Sequence, residues 1–378
     1  MKCKQGLFLL TLVIGATPIF ADSSVGTLGA KGAILVEPES KRILYSVHGE
    51  EPLPMASTTK IMTCILVLEK GNLDDIVTVS KQASQAPPVK LKLKAGEKQK
   101  LGDLLYSLML ESHNDTSVAI AEHVGGSVEE FCNMMTEMAH SIGATQSSFK
   151  TPNGLDAEGH YASPYDLAII AGYALENPKF VEIINTPNKT IPSEALEGSY
   201  RHDLQNKNRF LSMVSGANGV KTGYTSKAGH CFVGAAKRDD MQLIGVALGN
   251  FGNSGKSRKY TDVQKMIEYG FKNFKPYVII DNNQILDTIA VTYGKSKDVK
   301  LVAQEQLKIP LTKEEVEKVK LSITKPDAME APIKKDQEIG RVDIVLDGLV
   351  LGTTPLYAES DVAKMTLLER FKEYMQTL

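Results

Sequence analysis

The stretch MASTTKIM, residues Met55–Met62, places a serine and a lysine three positions apart at the beginning of an apolar run. In a helix, positions i and i+3 share a face, so the Ser57 hydroxyl and the Lys60 amine would lie together. A lysine at the edge of a buried segment costs free energy unless it has a partner or a function. The stretch therefore predicts a buried helix whose first turn carries a reactive pair of side chains.

The chemistry of this pair is nucleophilic. A serine hydroxyl reacts slowly until a base removes its proton, and a lysine in an apolar setting can have a pKa low enough to be that base. A helix that begins near Ser57 also places the hydroxyl at its positive end. Taken alone, Ser-x-x-Lys is weak evidence, because about one chance match is expected in a chain of this length. The alternative is a surface lysine near an N-cap serine.

Two further polar clusters lie far along the chain. The tripeptide SHN at residues 112–114 follows a predicted helix that ends near Leu110, and its serine and amide can point into one cleft; an ordinary polar turn is the alternative. The segment GVKTGYT, residues 219–225, leads toward a predicted hairpin and is expected on or beside an edge strand. Glycines on both sides of its lysine allow a ligand to approach the backbone closely, and a simple turn is the alternative.

Apolar patterning predicts an α+β fold, with helices on an antiparallel sheet. Short apolar runs around turn-like segments indicate two hairpins, at residues 33–45 and 231–248. Helical spacing is found at residues 61–68, 101–111, 128–142, 164–177 and 257–274.

Beyond Pro276 the pattern changes to period-two alternation. The dipeptide Asp347-Gly348 separates two apolar runs, which is a strong hairpin signal. We therefore predict a small all-β domain at residues 277–358 after a first domain at residues 22–276.

The last segment, residues 359–378, has the pattern of an amphipathic helix. One helical face carries Met365, Leu368, Phe371, Met375 and Leu378. Such a helix can lie in a membrane interface, so the sequence predicts peripheral membrane contact. A helix packed on its own domain or fraying at its end is the alternative. The charges of this segment cancel, which weakens the case for attraction to anionic lipid.

The N-terminus has the features of a secretory signal at residues 1–21. Lys2 and Lys4 form a basic region, residues 7–20 are apolar, and Ala21 offers a small-residue cleavage site. An uncleaved anchor is the alternative. Either way, we expect an exported protein at the outer face of the cytoplasmic membrane, in the periplasm or cell-wall space, with a fraction secreted.

The composition excludes several other classes. The net charge is −2 without a basic block, so nucleic acid is not expected as a partner. No histidine spacing matches a zinc motif, and neither a metal nor a cofactor is predicted. After signal removal an odd number of cysteines remains, which indicates buried thiols and not a disulfide framework: Cys64, Cys132 and Cys231.

Taken together and in this order, Ser-x-x-Lys, Ser-x-Asn and Lys-Thr-Gly are specific. The sequence resembles the penicillin-recognising serine peptidases, and most closely the low-molecular-mass D-alanyl-D-alanine carboxypeptidases of peptidase family S11. The segments at residues 151–168 and 219–240 resemble that family's own segments. The resemblance implies a β-lactamase/transpeptidase-like catalytic domain, followed by the β-rich domain and the terminal helix.

The resemblance also implies the substrate and the roles of the motif residues. Peptidoglycan stem peptides ending in D-Ala-D-Ala would be cleaved through an acyl-enzyme on Ser57, and β-lactams would acylate the same serine. Lys60 would take the serine proton and Ser112 would relay a proton to the leaving D-alanine. Substrate binding, including an oxyanion hole formed by the N–H groups of Ser57 and Tyr224, would fall to Asn114, Lys207, Lys221, Thr222, Gly223 and Tyr224.

Three positions depart from the family's commonest pattern: His113, Tyr224, and Lys207, where an arginine is frequent. A lysine at that place binds a carboxylate as a point charge, without the bidentate fork. A D,D-endopeptidase or a β-lactamase with the same nucleophile is the enzymatic alternative, and the β-rich second part argues against both. A non-catalytic cell-wall binding protein is the other alternative, and the three intact motifs argue against it.

Overall fold

The computed structural model describes residues 25–195 and 198–376. The predicted signal peptide, at residues 1–21, lies outside the described residues, and so does Leu378.

A five-stranded antiparallel sheet forms the centre of the first part, with the strand order β2-β1-β9-β8-β7. Three antiparallel pairings form a second, four-stranded sheet in the order β3-β4-β5-β6. The strands are Gly32–Glu37 (β1), Arg42–Val47 (β2), Ile76–Thr78 (β3), Lys98–Lys100 (β4), Asn188–Ala195 (β5), Gly198–Gln205 (β6), Ala217–Thr225 (β7), Gly229–Arg238 (β8) and Met241–Asn250 (β9). Both predicted hairpins are confirmed, as β1–β2 and β8–β9.

Helices cover both faces of this sheet. They are Lys60–Lys70 (α1), Lys81–Ser84 (α2), Leu101–Tyr106 (α3), Asn114–Gly125 (α4), Val128–Ser141 (α5), Pro164–Leu175 (α6), Pro178–Asn185 (α7) and Gly255–Asn273 (α8). Alternate strand residues serve different cores: Ile34 packs with α1 and α6, whereas Leu35 packs with α8. This is the two-residue period of a strand buried on both faces.

The helix predicted at residues 101–111 is present but changes its winding. It is α-helical up to Tyr106 and continues as a π-helix over Ser107–Glu111. Its last residues lead directly into the SHN tripeptide. Such local π-helical turns are often found at functional sites.

The second part is β-rich, as predicted, and includes one short helix that the sequence pattern did not indicate, Lys313–Val316 (α9). The Asp347-Gly348 hairpin is confirmed between β16 and β17. The strands form sheets in the orders β10-β13 and β14-β16-β17-β12-β11-β15. They are Lys275–Ile280 (β10), Gln284–Thr292 (β11), Asp298–Ala303 (β12), Leu307–Leu311 (β13), Lys320–Thr324 (β14), Ala328–Glu330 (β15), Glu338–Leu346 (β16) and Leu349–Ala358 (β17).

A terminal helix, Leu367–Gln376 (α10), follows the β-rich part. Its apolar side chains are exposed, from Met375 at 56% to Leu367 at 81%. Across the described ranges, no helix has both the length and the apolar character needed to cross a bilayer.

Candidate active site

Ser57 lies in a single 3₁₀ turn, Ala56–Thr59, that leads into α1. Ala56 has a φ of +48°, a left-handed conformation that an L-residue adopts only when its surroundings hold it. The turn is packed against β7 so closely that a Cβ on Gly223 would lie 2.8 Å from the Ser57 nitrogen. The first and third motifs therefore meet in space.

Lys60 is fully buried and directs its amine at Ser57. Its Nζ lies 3.0 Å from Ser57 Oγ, 2.9 Å from Asn114 Oδ1 and 2.6 Å from the Asn153 carbonyl oxygen. As a neutral amine, Lys60 can donate to the two carbonyl-type oxygens and turn its lone pair toward the Ser57 hydroxyl. The arrangement therefore suits a proton acceptor.

The electrostatic surroundings of Lys60 favour that neutral form. Burial lowers the pKa of Lys60 well below its ordinary value, because the charged amine loses its hydration. The nearby Lys221 amine lowers this pKa further by charge repulsion, while Asp115 acts in the opposite direction. The neutral amine of Lys60 can therefore accept the Ser57 proton directly, whereas a lysine with an ordinary pKa would first have to lose its own proton.

The second motif begins where the π-helix ends. Ser112 has a φ of +69° and a ψ of +33°, so the chain turns sharply before α4 begins at Asn114. The Ser112 hydroxyl is buried and has no hydrogen-bond partner among the described residues. A buried hydroxyl normally has a partner, which marks Ser112 as a group available to a ligand or a transferred proton.

Asn114 and Asp115 fasten the neighbouring chain segment to α4. The Asn114 amide nitrogen donates to the carbonyl oxygens of Pro87 and Pro88, at 3.1 and 2.9 Å. The buried Asp115 carboxylate accepts hydrogen bonds from the backbone N–H groups of residues 91–93. The Asn114 oxygen is therefore held in place for Lys60.

The His113 ring contacts Ser107 and Glu111, which lie outside the hydrogen-bond network around Ser57. It is buried, its Nδ1 lies 2.9 Å from Ser107 Oγ, and its Nε2 lies 3.3 Å from Glu111 Oε2. Burial lowers the pKa of His113 to about 4, so the ring is neutral near pH 7. The unusual middle residue of the motif thus serves packing and hydrogen bonding.

The third motif lies on β7, an edge strand as the sequence predicts. Lys221 is 3% exposed, and its Nζ donates to the Thr222 carbonyl at 3.2 Å. Burial, and to a smaller extent repulsion from Lys259, lowers the pKa of Lys221 to about 7. Tyr224 is exposed, and its ring stacks on His230 with centroids 4.3 Å apart.

The structure does not connect Lys207 to this network. Its Nζ lies 3.1 Å from Glu111 Oε1 and 3.1 Å from Gln205 Oε1, and the side chain is largely exposed. Its backbone N–H donates to the Leu110 carbonyl, which places Lys207 beside the end of the π-helix.

The sequence does not predict one contact in the site: the Asn153 carbonyl oxygen, which accepts a hydrogen bond from Lys60 Nζ and also lies 3.3 Å from Ser57 Oγ. Asn153 lies in the family-like segment at residues 151–168, but the sequence of that segment does not indicate this contact. A backbone carbonyl leaves no signal in residue identity. Gly154, with a φ of +84°, permits the close approach of this loop to Ala56.

Within residues 25–195 and 198–376, no group of three or more His, Cys, Asp or Glu side chains is arranged to hold a metal ion. Three cysteines in that part of the chain are free and buried, Cys64, Cys132 and Cys231.

Comparison with known proteins gives matches over nearly the whole chain. The family model of peptidase S11, described as D-alanyl-D-alanine carboxypeptidase, matches residues 20–252, and the model of the penicillin-binding protein 5 C-terminal domain matches residues 274–364. The D-alanyl-D-alanine carboxypeptidase DacF of Bacillus subtilis is 34% identical over 92% of this chain and 89% of its own length. DacC of Escherichia coli is 31% identical over 89% of this chain and 85% of its own length.

Solved structures agree with these matches. Penicillin-binding protein 5 of Haemophilus influenzae aligns with a TM-score of 0.77 at 28% identity, covering 93% of this chain and all of that one. The Streptomyces K15 DD-transpeptidase aligns with a TM-score of 0.60 at 30% identity, covering 65% of this chain and 98% of its own. With its two-part fold and these matches, the chain belongs to the S11 family of serine-type D-alanyl-D-alanine carboxypeptidases.

Proposed function

We propose that this carboxypeptidase removes the terminal D-alanine from peptidoglycan pentapeptide stems through an acyl-enzyme on Ser57. The observation that carries the proposal is the 3.0 Å separation of Lys60 Nζ from Ser57 Oγ, inside a network that leaves Lys60 no exposed surface. Such a pair supplies a nucleophile and its base at one place.

The reaction begins when Lys60 Nζ takes the proton of Ser57 as the oxygen attacks the carbonyl carbon of the penultimate D-alanine. The backbone N–H groups of Ser57 and Tyr224 stabilise the oxyanion that forms. Ser112 donates its proton to the nitrogen of the leaving D-alanine and regains one from protonated Lys60, so the peptide bond breaks and the base is restored. Water then hydrolyses the ester on Ser57 and releases the shortened peptide.

The remaining motif residues hold the substrate. Asn114 binds the substrate amide, Lys221 contributes positive charge, and Thr222 binds the terminal carboxylate. Gly223 lets the substrate-binding strand lie directly against the Ser57 turn, since any Cβ there would crowd the turn. Lys207 reaches the carboxylate only after exchanging its contact with Glu111.

β-Lactams acylate Ser57 in the same way, because the strained amide stands in for the scissile bond. Mass spectrometry of the protein after exposure to benzylpenicillin tests this directly. We expect one covalent adduct, mapped to the peptide that contains Ser57 and missing in Ser57→Ala. An adduct on another residue, or labelling of Ser57→Ala, would contradict the assigned nucleophile.

A second readout separates the enzymatic alternatives. Incubation with a pentapeptide ending in D-Ala-D-Ala should release free D-alanine at a rate that benzylpenicillin abolishes. Fast turnover of the drug without release of D-alanine would instead indicate a β-lactamase. The absence of an adduct, of drug turnover and of D-alanine release together would indicate a non-catalytic binding protein.

The proposed setting of the enzyme is the outer face of the cytoplasmic membrane. Residues 1–21 direct export, residues 22–276 form the catalytic domain, residues 277–358 form the β-rich domain, and residues 359–378 contact the membrane peripherally. Support for that contact comes from the exposed apolar side chains Leu367, Leu368, Phe371 and Met375 on α10. Helices of this kind bind the lipid interface through their buried apolar area.

Membrane contact is tested with the double substitution Leu368→Glu and Phe371→Glu in the full chain. We expect the wild type to sediment with vesicles and the double variant to remain in the supernatant, because two charges replace the apolar face. Leu321→Glu, at an exposed apolar position of the β-rich part, is the control that should still sediment. If wild type and double variant sediment equally, α10 is not the contact.

A further inference from the structure

The peptide unit between Ala56 and Ser57 is held by a feature outside the three motifs. In a trans peptide, the C=O of one residue and the N–H of the next point in opposite directions. Whatever fixes the Ala56 carbonyl therefore also aims the Ser57 N–H, the group that the proposed function uses in the oxyanion hole. Because Ala56 has a φ of +48°, this orientation needs support from its surroundings.

The Ala56 carbonyl oxygen accepts a hydrogen bond from Thr59 Oγ1 at 2.8 Å. Thr59 is fully buried, and its hydroxyl also lies 3.0 Å from His160 Nε2. A hydroxyl has one proton to donate but can accept as well. If that proton goes to Ala56, the contact between Thr59 and His160 must use a proton from the histidine.

The other ring nitrogen of His160 fixes this assignment. The backbone N–H of Lys150 donates to His160 Nδ1 at 3.0 Å, so Nδ1 carries no proton. The ring proton is therefore on Nε2 and is donated to Thr59 Oγ1. Burial lowers the pKa of His160 to about 4, which keeps the ring neutral, as the Nδ1 contact requires.

The three hydrogen bonds thus run in one direction, from Lys150 N–H through His160 and Thr59 to the Ala56 carbonyl. Each donor in such a chain polarises the next, and a polarised carbonyl makes the N–H of the same amide a stronger donor. Gly223 faces that N–H, where a Cβ would lie 2.8 Å from the nitrogen, so the residue type there leaves the group open to a ligand.

We propose that Thr59 and His160 are positioning residues, which hold the Ala56–Ser57 peptide so that the Ser57 N–H points at the oxyanion of the reacting carbonyl. This inference rests on the proposed function, because it assumes that Ser57 is acylated. The two residues touch neither the substrate nor the reacting atoms. Their contribution is expected in the chemical step and not in the affinity for the ligand.

The first experiment compares Thr59→Val with Thr59→Ser in stopped-flow acylation by a fluorescent penicillin, which separates noncovalent binding from the acylation rate constant. Removing one oxyanion donor outright costs about 10²–10³ in rate, so losing its alignment should slow acylation by about 10- to 100-fold in Thr59→Val. Thr59→Ser keeps the hydroxyl and should retain at least about a third of the wild-type rate constant. The noncovalent dissociation constant should change by less than about threefold in both variants.

The second experiment repeats the measurement at the other end of the chain of hydrogen bonds. His160→Gln keeps an N–H donor for Thr59, whereas His160→Ala keeps none. We expect His160→Ala to acylate slowly and His160→Gln to recover most of the loss. Combining His160→Ala with Thr59→Val should add little further loss, because both substitutions break the same connection.

Ser147→Ala is the control that shows how a variant behaves when it loses only a structural hydrogen bond. Ser147 is buried and its hydroxyl donates to Asp166 at 2.7 Å, so the variant loses one buried hydrogen bond outside the Ser57 network. It should lower the melting temperature without slowing acylation. If Thr59→Val behaves in the same way, with a lower melting temperature and a normal acylation rate constant, the positioning role is wrong.

Failure of the proposed function and failure of the positioning role give different experimental results. Failure of benzylpenicillin to modify Ser57 in the wild type would overturn the proposed function. Normal modification of the wild type, together with normal rate constants in Thr59→Val and His160→Ala, would overturn the positioning role alone.

Discussion

Replacing Lys60 with alanine should leave a folded protein whose acylation by β-lactams is about three to four orders of magnitude slower. The substitution removes the base that takes the Ser57 proton and the positive charge that it then carries, and positioned general bases contribute about 10²–10⁴ in rate. The measurement is the second-order rate constant for labelling by a fluorescent penicillin, followed beside the thermal unfolding of each variant.

Two controls make this result specific. Lys60→Met fills the buried volume without an amine and should be as slow as Lys60→Ala, which excludes a cavity as the cause. Lys227→Ala removes an exposed lysine three residues after the Tyr224 position and should label at nearly the wild-type rate. Acylation of Lys60→Ala within tenfold of the wild type would mean that another group is the base.

A methyl group on Gly154 should disable the enzyme from outside the three motifs. The added Cβ would lie 2.0 Å from the carbonyl oxygen and 2.4 Å from the carbonyl carbon of Ala56, and these are backbone atoms that cannot rotate away. Either the loop or the Ser57 turn must move. Since misplacing reacting groups by about 1 Å can cost 10²-fold in rate, we expect Gly154→Ala to lose at least that much acylation.

Gly126→Ala is the matched control for this experiment. Gly126 has a φ of +73°, close to the +84° of Gly154, but a Cβ there would meet nothing within 4 Å. The control therefore has the same conformational cost, about 1–2 kcal/mol, without the steric clash. Denaturant unfolding should show a clearly larger loss of stability for Gly154→Ala. Equal stability and equal acylation in the two variants would show that the loop containing Gly154 can move away from Ala56 at little cost in free energy.

The fold could be predicted from the sequence where burial imposes a period. Hairpins β1–β2 and β8–β9 follow apolar runs interrupted by turn residues, and both are present. The hairpin at Asp347-Gly348 is likewise present, because few residue pairs suit its turn. These features depend on neighbours in the chain, which a sequence displays directly.

The change from α- to π-helix before Ser112 could not be predicted. Residues 101–111 have helical spacing throughout, and a difference of one residue in the hydrogen-bond pattern does not alter that spacing. The π-helical turn does, however, change where the helix ends, and this sets the direction of the Ser112 hydroxyl. Element type is thus easier to predict from periodicity than the direction of a terminal side chain.

In the candidate site, too, features set by local spacing could be predicted, whereas contacts between distant segments could not. Ser57, Lys60 and Asn114 could be proposed because side chains at fixed spacing have recognisable chemistry, and hydrogen bonds join these three. The Asn153 carbonyl and the His160–Thr59 contact could not be predicted, because each depends on which loop packs against the Ser57 turn. The pairing of Lys207 with Glu111 likewise depends on two distant segments meeting.

Three free, buried cysteines in the described part of the chain can report on the unfolding of this protein. Burial raises the pKa of Cys132 to about 11 and that of Cys231 to about 12, so their thiolates are scarce and shielded while the chain is folded. Alkylating reagents attack the thiolate. Because the chain has no tryptophan to give a strong fluorescence signal, the rate of thiol modification becomes the native probe of local and global unfolding. The cysteines lie on α1, α5 and β8, so one unmodified protein can reveal whether the helices and the sheet come apart together or in sequence.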